Sequence, residues 1–198
     1  MLHLGFTLLL VLVLGASLRA SLGASLGATF SQDTPKKDCS LSKYQFLLPQ
    51  ETRAVQKMKD EFEKIMLLSD RQCNTRLFHR KWKTKELLVP DRMKLVEAEL
   101  DFAINMLELL TEPELGETRE QPLLLLTQAR EDVRDCVSAP LKVPCPKHVS
   151  SRKLRHWLQR LGMAKETETT GCLEASAILN LFQVLNNLQC AALRERCT

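Results

Sequence analysis

Past residue 28 the chain has almost no glycine: Gly116, Gly162 and Gly171 are all that remain. A β fold of this length needs many tight turns, and strand-like alternation of apolar and polar residues is missing too, so a β architecture is excluded. The usual enzyme signatures are also absent. No H-E-x-x-H, P-loop, G-x-S-x-G or glycine-rich phosphate loop occurs. His79, His148 and His156 stand in surface-like contexts, and no local motif sets a base beside a nucleophile. Glu97 and Glu99, two residues apart, cannot share a helix face. The chain is therefore read as a non-enzyme that needs no cofactor. No C-x-x-C occurs, and no cysteine pair stands near a histidine pair at zinc spacing, so no metal is expected. No Asn-x-Ser/Thr is present, and no N-glycan is expected. Excess charge is small: 28 basic against 24 acidic residues, or +4. The first 28 residues take away one Arg and no acid, which leaves +3. That is too weak to imply a nucleic-acid partner.

What is present begins with a leader. Leu8 to Leu14 reads LLLVLVL, inside an apolar stretch from Leu2 to Ala16 that is too short to span a bilayer comfortably. Small residues follow, Gly15-Ala16-Ser17 and Ser21-Leu22-Gly23. An apolar core followed by a small-x-small site reads as a secretory signal peptide, although its start carries no Lys or Arg. No polybasic stop follows, so a retained anchor is set aside, and no membrane insertion is expected after cleavage. Ala20 to Ala28 is a tandem repeat, ASLGASLGA, which blurs the cleavage site. The expected organisation is a signal peptide over 1–23, its end uncertain up to 28, and one helical domain over 24–198.

Helical periodicity carries five segments. The first spans about Pro49 to Leu68, with Val55, Met58, Phe62, Ile65 and Met66 as its inner stripe. Pro49 suits the first helical position and Glu51 the positive end of the dipole. A long connection runs from about Ser69 to Asp91. The second helix, about Arg92 to Leu110, has so broad an apolar face that it should be central and mostly buried. Thr111 to Glu120 reads as a loop, and Pro122 opens a third helix reaching Cys136. Ser138 to Ser150 reads as a loop with three prolines. A fourth helix runs from Ser151 to Leu161, with Gly162 as its C-cap, and a last from about Cys172 to Leu193. Helices of this length with two long connections predict an all-α, up-up-down-down bundle of the helical cytokine type, with crossover loops.

Seven cysteines follow the leader: Cys39, Cys73, Cys136, Cys145, Cys172, Cys190 and Cys197. A secreted chain oxidises them. Six paired cysteines allow 15 connectivities, and spacing suggests only that Cys190 and Cys197 close a short loop. Cys145, between Pro144 and Pro146, is the odd one out.

Three surfaces stand out. On the last helix the inner stripe centres between Leu181 and Leu185, and a 100° wheel turns Phe182, Leu179 and Ala175 away from it. Either a neighbouring loop or helix covers these residues, or they form an outward apolar patch for a protein partner; the second is adopted. Arg71, Arg76, Arg80, Lys81, Lys83 and Lys85 alternate with Phe78 and Trp82 in the first connection. Such a run could hold a glycosaminoglycan or a nucleic acid, but a solvated loop with two tucked aromatics is favoured. Arg152, Lys153, Arg155, His156 and Arg160 ring the apolar face of the fourth helix, which reads as core packing with a solvated rim rather than a membrane helix.

Particular words then carry a resemblance. Gly171-Cys172-Leu173-Glu174-Ala175-Ser176 followed by Asn180-Leu181-Phe182 is similar to the last-helix signature of the lambda, or type III, interferons. His156-Trp157-Leu158, Arg160-Leu161, Glu97-Ala98-Glu99-Leu100, Gln121-Pro122-Leu123 and Pro49-Gln50-Glu51 match in order, from about Cys39 to Cys197. The run from Cys73 to Trp82 resembles a non-mammalian branch. The resemblance implies a monomeric helical bundle of the interleukin-10 cytokine class with disulfides Cys39–Cys136, Cys73–Cys172 and Cys190–Cys197. It implies a secreted antiviral cytokine that bridges a lambda-specific receptor chain and the interleukin-10 receptor beta chain and so activates Janus kinases and STAT proteins. By family position the specific chain would meet the first helix, the following loop and the last helix, which points to Pro49, Val55, Lys57, Leu179 and Phe182, and the shared chain the first and third helices. Thr52 and Leu179 depart from the residues usual there. Two other readings are another interleukin-10-class cytokine and a saposin-like lipid-binding protein.

Overall fold

In a computed structural model, residues 39–68, 73, 76–138 and 149–197 are described. They form six α-helices and, among the described residues, no strand: α1 (Pro49–Leu67), α2 (Val89–Leu109), α3 (Gly116–Ser138), α4 (Arg152–Thr167), α5 (Thr170–Leu179) and α6 (Leu181–Leu193). Short 3-10 turns occupy Ser42–Gln45, Thr84–Glu86, Pro113–Leu115 and Arg194–Arg196. This is the expected all-α helical cytokine class. The helices belong to one unit, Lys37–Thr198.

The centre is α2, which packs against α3, α4, α5 and α6. Leu95, Val96, Leu100, Phe102, Ala103, Ile104 and Leu107 are fully buried along it. Their spacing covers just over half the circumference, which is what a helix needs when it has neighbours on several sides. α1 turns Val55, Met58 and Phe62 inward and packs on α3 and α5. Burying a Phe or Met of this kind stabilises by about 1.5–3 kcal/mol.

Local chemistry sets the ends. Pro49 opens α1, and the Glu51 carboxylate accepts from the Leu48 N–H at 2.8 Å, supplying a partner that the helix itself lacks. Ser151 Oγ accepts from the Leu154 N–H and Thr169 Oγ1 from the Cys172 N–H, each at 3.3 Å, capping α4 and α5.

Three boundaries differ from the sequence reading. α3 starts at Gly116, so that Pro122 lies inside it rather than at its head. The extra turns are held by Arg119, whose guanidinium donates to the Leu107 and Leu110 carbonyls at 3.2 and 2.6 Å and so caps α2. α4 continues through Gly162 to Thr167. Gly162 is exposed with open space around it, so it costs the helix some propensity without stopping it. The last helix is broken at Asn180, whose side-chain amide donates to the Ser176 carbonyl at 2.8 Å. That carbonyl is the one the Asn180 backbone N–H would take in a continuous helix; the backbone N–H goes to Ala177 instead, at 3.2 Å.

Three disulfides staple the bundle in the pairing that the resemblance implies. Cys39–Cys136 joins the segment before α1 to the end of α3, Cys73–Cys172 joins the first connection to α5, and Cys190–Cys197 closes the C-terminal loop. Cys145 and the leader lie outside the described residues.

Candidate functional site

The five residues that the resemblance assigns to the specific receptor chain do not share one environment. Pro49 and Lys57 are exposed on α1, with Thr52 on the same outer side. Val55 is 0% exposed and belongs to the core, so the contact implied for it is corrected: the apolar stripe that includes Val55 faces inward. Leu179 and Phe182 are half-buried and pack against the core, leaving part of each side chain at the surface. Ala175, read as outward, is buried at 4%. The break at Asn180 explains the mixed result, because a 100° wheel does not carry angles across an interrupted helix. α1 and α5 pack directly, so the exposed ridge of α1 and the Leu179 end of α5 lie on neighbouring helices.

Beside Phe182 the chain is pinned to the first connection. Gln183 Nε2 donates to the Phe78 carbonyl at 3.1 Å. Phe78 is buried, its ring 6.1 Å from that of Phe102, and Trp157 Nε1 donates to the Leu77 carbonyl at 3.0 Å. The tucked aromatics are as expected, but one charge is not solvated. Arg80 Nη1 lies 2.5 Å from Glu99 Oε1, with the two side chains 3% and 0% exposed. Its guanidinium carbon sits 4.7 Å from the Trp82 ring centre and 5.3 Å from that of Trp157, a placement that ring quadrupoles favour. Asn187 Nδ2 donates to both Glu99 oxygens at 3.1 and 2.8 Å, and Thr84 Oγ1 donates to Asn187 Oδ1 at 2.5 Å. Burial raises the Glu99 carboxyl to about 6 against the opposing charge of Arg80 and the Asn187 and Arg80 hydrogen bonds.

A second surface lies between the segment before α1 and α3. It is an open groove of about 750 Å³, where Phe46 (81% exposed), Leu48 and Leu124 (72%) stand over Tyr44, Gln121 and Gln128. Its floor is fixed by Asp132, which accepts from Tyr44 Oη and pairs with Lys43 Nζ, each at 2.7 Å.

Reading the residues missed Arg80, Glu99 and Asn187, and the Phe46–Leu124 groove. Glu99 did carry a signal: it lies three after Val96 and three before Phe102, on the apolar face of α2. An acid there demands a buried donor set. Among the described residues no group of three His, Cys, Asp or Glu could hold a metal, and no helix is long and apolar enough to cross a membrane.

The family described as Interleukin-28A matches residues 36–194. The chain is 58% identical to Interferon lambda-3 of Gallus gallus, over 98% of each protein. It is 35% identical to Interferon lambda-2 of Mus musculus over 96% of this chain and 98% of that one, and 33% identical to Interferon lambda-1 of Homo sapiens over 79% and 77%. It thus stands nearer the chicken protein than these mouse and human relatives. A match over nearly the whole helical unit, at such identity, places the chain in the lambda interferon family.

Proposed function

We propose that this lambda interferon is a secreted, monomeric antiviral cytokine that pairs a lambda-specific receptor chain with the interleukin-10 receptor beta chain. Receptor-bound Janus kinases then phosphorylate STAT proteins. The chain itself makes and breaks no covalent bond; it lowers the free energy of receptor pairing. The observation that carries this reading is the presence of two partly apolar surfaces on a bundle whose core is already filled. One combines exposed Pro49 and Lys57 on α1 with half-buried Leu179 and Phe182. The other is the groove of Phe46, Leu48 and Leu124 between the start of α1 and α3. We assign the first to the specific chain and the second to the shared chain. An apolar anchor with a polar rim is the usual anatomy of such contacts.

The test uses purified mature chain, immobilised ectodomain of the specific receptor chain, and cells expressing only the lambda receptor pair. Binding to the specific chain, recruitment of the second chain and STAT phosphorylation at low dose are expected; silence in those cells sinks the assignment. Phe182→Ala should cost roughly 2 kcal/mol or more of receptor affinity. A loss of thermal stability with unchanged affinity would instead make Phe182 a core residue alone.

A further inference from the structure

The first connection and α4 were two separate basic stretches in the sequence; in the fold they are one surface. Arg160 Nη2 donates to the Arg76 carbonyl at 2.7 Å, Trp157 Nε1 to the Leu77 carbonyl at 3.0 Å, and Lys153 Nζ pairs with Glu86 Oε2 at 2.7 Å. The connection therefore runs alongside α4, residue 76 at its C-terminal half and residue 86 at its N-terminal end. Between these ties Lys81, Lys83 and Lys85 are exposed on the connection, and Arg152, Arg155 and His156 on α4. The exposed acid within this strip is Glu86, already paired with Lys153; Glu99 lies beneath, paired with Arg80, and Asp91 is buried at the start of α4, accepting from the Ser151 N–H at 2.8 Å; Glu166 and Glu168 lie past the far end. The whole chain carries only +4, so this cationic density is a local concentration and not a reflection of overall charge.

What the strip lacks identifies its ligand. Single-stranded nucleic acid is held by bases stacking on exposed aromatics. Here Phe78 and Trp157 are buried, and Trp82 is half-buried with Arg80 on its ring, so among the described residues of the strip no fully exposed Phe, Tyr or Trp offers a stacking platform. A membrane-surface helix needs a free apolar face. The apolar face of α4, Leu154, Trp157 and Leu161, is spent in the core. Cations without stacking or insertion suit a flexible chain of sulfates, which Lys and Arg meet through charge and hydrogen bonding. We propose that the joint surface of the 76–86 connection and α4 binds a sulfated glycosaminoglycan, holding the secreted protein at cell surfaces and matrix. This goes beyond receptor pairing; it depends on secretion but not on the receptor assignment.

The probe is heparin, used with the mature protein at about 0.15 M salt. Two double variants lose the same charge: Lys83→Ala with Arg155→Ala inside the strip, and Arg53→Ala with Lys64→Ala on the exposed side of α1. The strip variant should lose roughly tenfold or more in heparin affinity and show a shallower dependence of log affinity on log salt, as two fewer counterions are released. The α1 variant should stay within about twofold, and chemically desulfated heparin should not bind. Equal losses in the two variants would reduce the effect to net charge and overturn the proposal. So would single-stranded RNA displacing heparin at lower concentration, which would make the occupant a nucleic acid. Receptor binding of the same variants is read separately, so failure here leaves the receptor reading intact.

Discussion

The segment before α1 and the connection before α2 are both clamped to the bundle around one carboxylate, and the two carboxylates behave oppositely. In the first clamp Asp132 of α3 receives Lys43, Tyr44 and Gln128. In the second, Glu99 of α2 receives Arg80 and Asn187. Burial raises both carboxyls. At Asp132 the hydrogen bonds of Lys43 and Tyr44 and the charge of Lys43 outweigh burial, and the group is held below the usual carboxylate range. At Glu99 burial wins, and the group rises to about 6. Donors surround both groups; the difference is water. The Lys43 side chain is 54% exposed and Arg80 3%. A pair with one partner at the rim keeps that partner's solvation even though Asp132 is buried, while one sealed under two tryptophans loses both and recovers only part through its partner.

The sharpest way to break this comparison is to remove one buried partner. Arg80→Ala leaves an uncompensated acid in the core and should cost about 3–5 kcal/mol in urea unfolding. A cost no greater than that of an exposed lysine would mean that the connection opens readily and Glu99 is wet. Next in size are the staples. The two long disulfides span 97 and 99 residues, so chain entropy predicts nearly equal losses, about 2–4 kcal/mol each, when either pair is changed to alanine. A clearly larger loss for Cys73→Ala with Cys172→Ala would show that this bond also holds Arg80 in register.

The opposite shifts give opposite pH dependences. Glu99 is raised in the folded state from 4.5 to about 6, so the folded protein binds more protons than the unfolded chain in that window. Stability tied to Glu99 is therefore complete below 4.5 and is lost as pH rises through about 6, by roughly 2 kcal/mol. Glu99→Gln should flatten that fall: its stability relative to wild type should climb as pH goes from 4 to 7. Asp132 is lowered, so its contribution is present above the ordinary carboxylate value and lost as pH falls below it. Asp132→Asn should therefore converge with wild type in acid. Thermal melts across pH check both; parallel curves for the two variants would erase the distinction drawn above.

Much of this organisation was legible in the residues, and the failures share a cause. Apolar stripes found α1 and α2, because a buried face repeats whatever it packs against. The 100° wheel lost the last helix at Asn180, since a side-chain amide that captures a carbonyl leaves no mark in hydrophobic periodicity. Gly162 and Pro122 were read as boundaries because local propensity argues that way; Arg119 on the end of α2 and the burial of Leu161 override it. The disulfide pairing came from family resemblance, not spacing. The Glu99 pair was half legible: an acid on an apolar face announces that a partner exists, but a partner from a connection 19 residues earlier has no periodic signature. The Phe46–Leu124 groove was invisible for the same reason, as its walls come from segments far apart in sequence.

The smallest effect tests the exposed half of the comparison. Lys43→Ala removes the charge that holds Asp132 down, yet a pair whose cation is half in water contributes only about 0–1 kcal/mol and fades in salt. Tyr44→Phe removes the hydroxyl of a residue that is 3% exposed, bonded to the same carboxylate oxygen at 2.7 Å. Burial, and then the Asp132 bond, raise that phenol well above its ordinary range, so it stays a donor at every pH of interest. A hydrogen bond to a charged group contributes about 1.5–3 kcal/mol, so the neutral tyrosine should matter more than the charged lysine. If Lys43→Ala proves the costlier change and its cost persists in high salt, the rim of the first clamp is as dry as the second, and the water-access account of the two carboxylates fails.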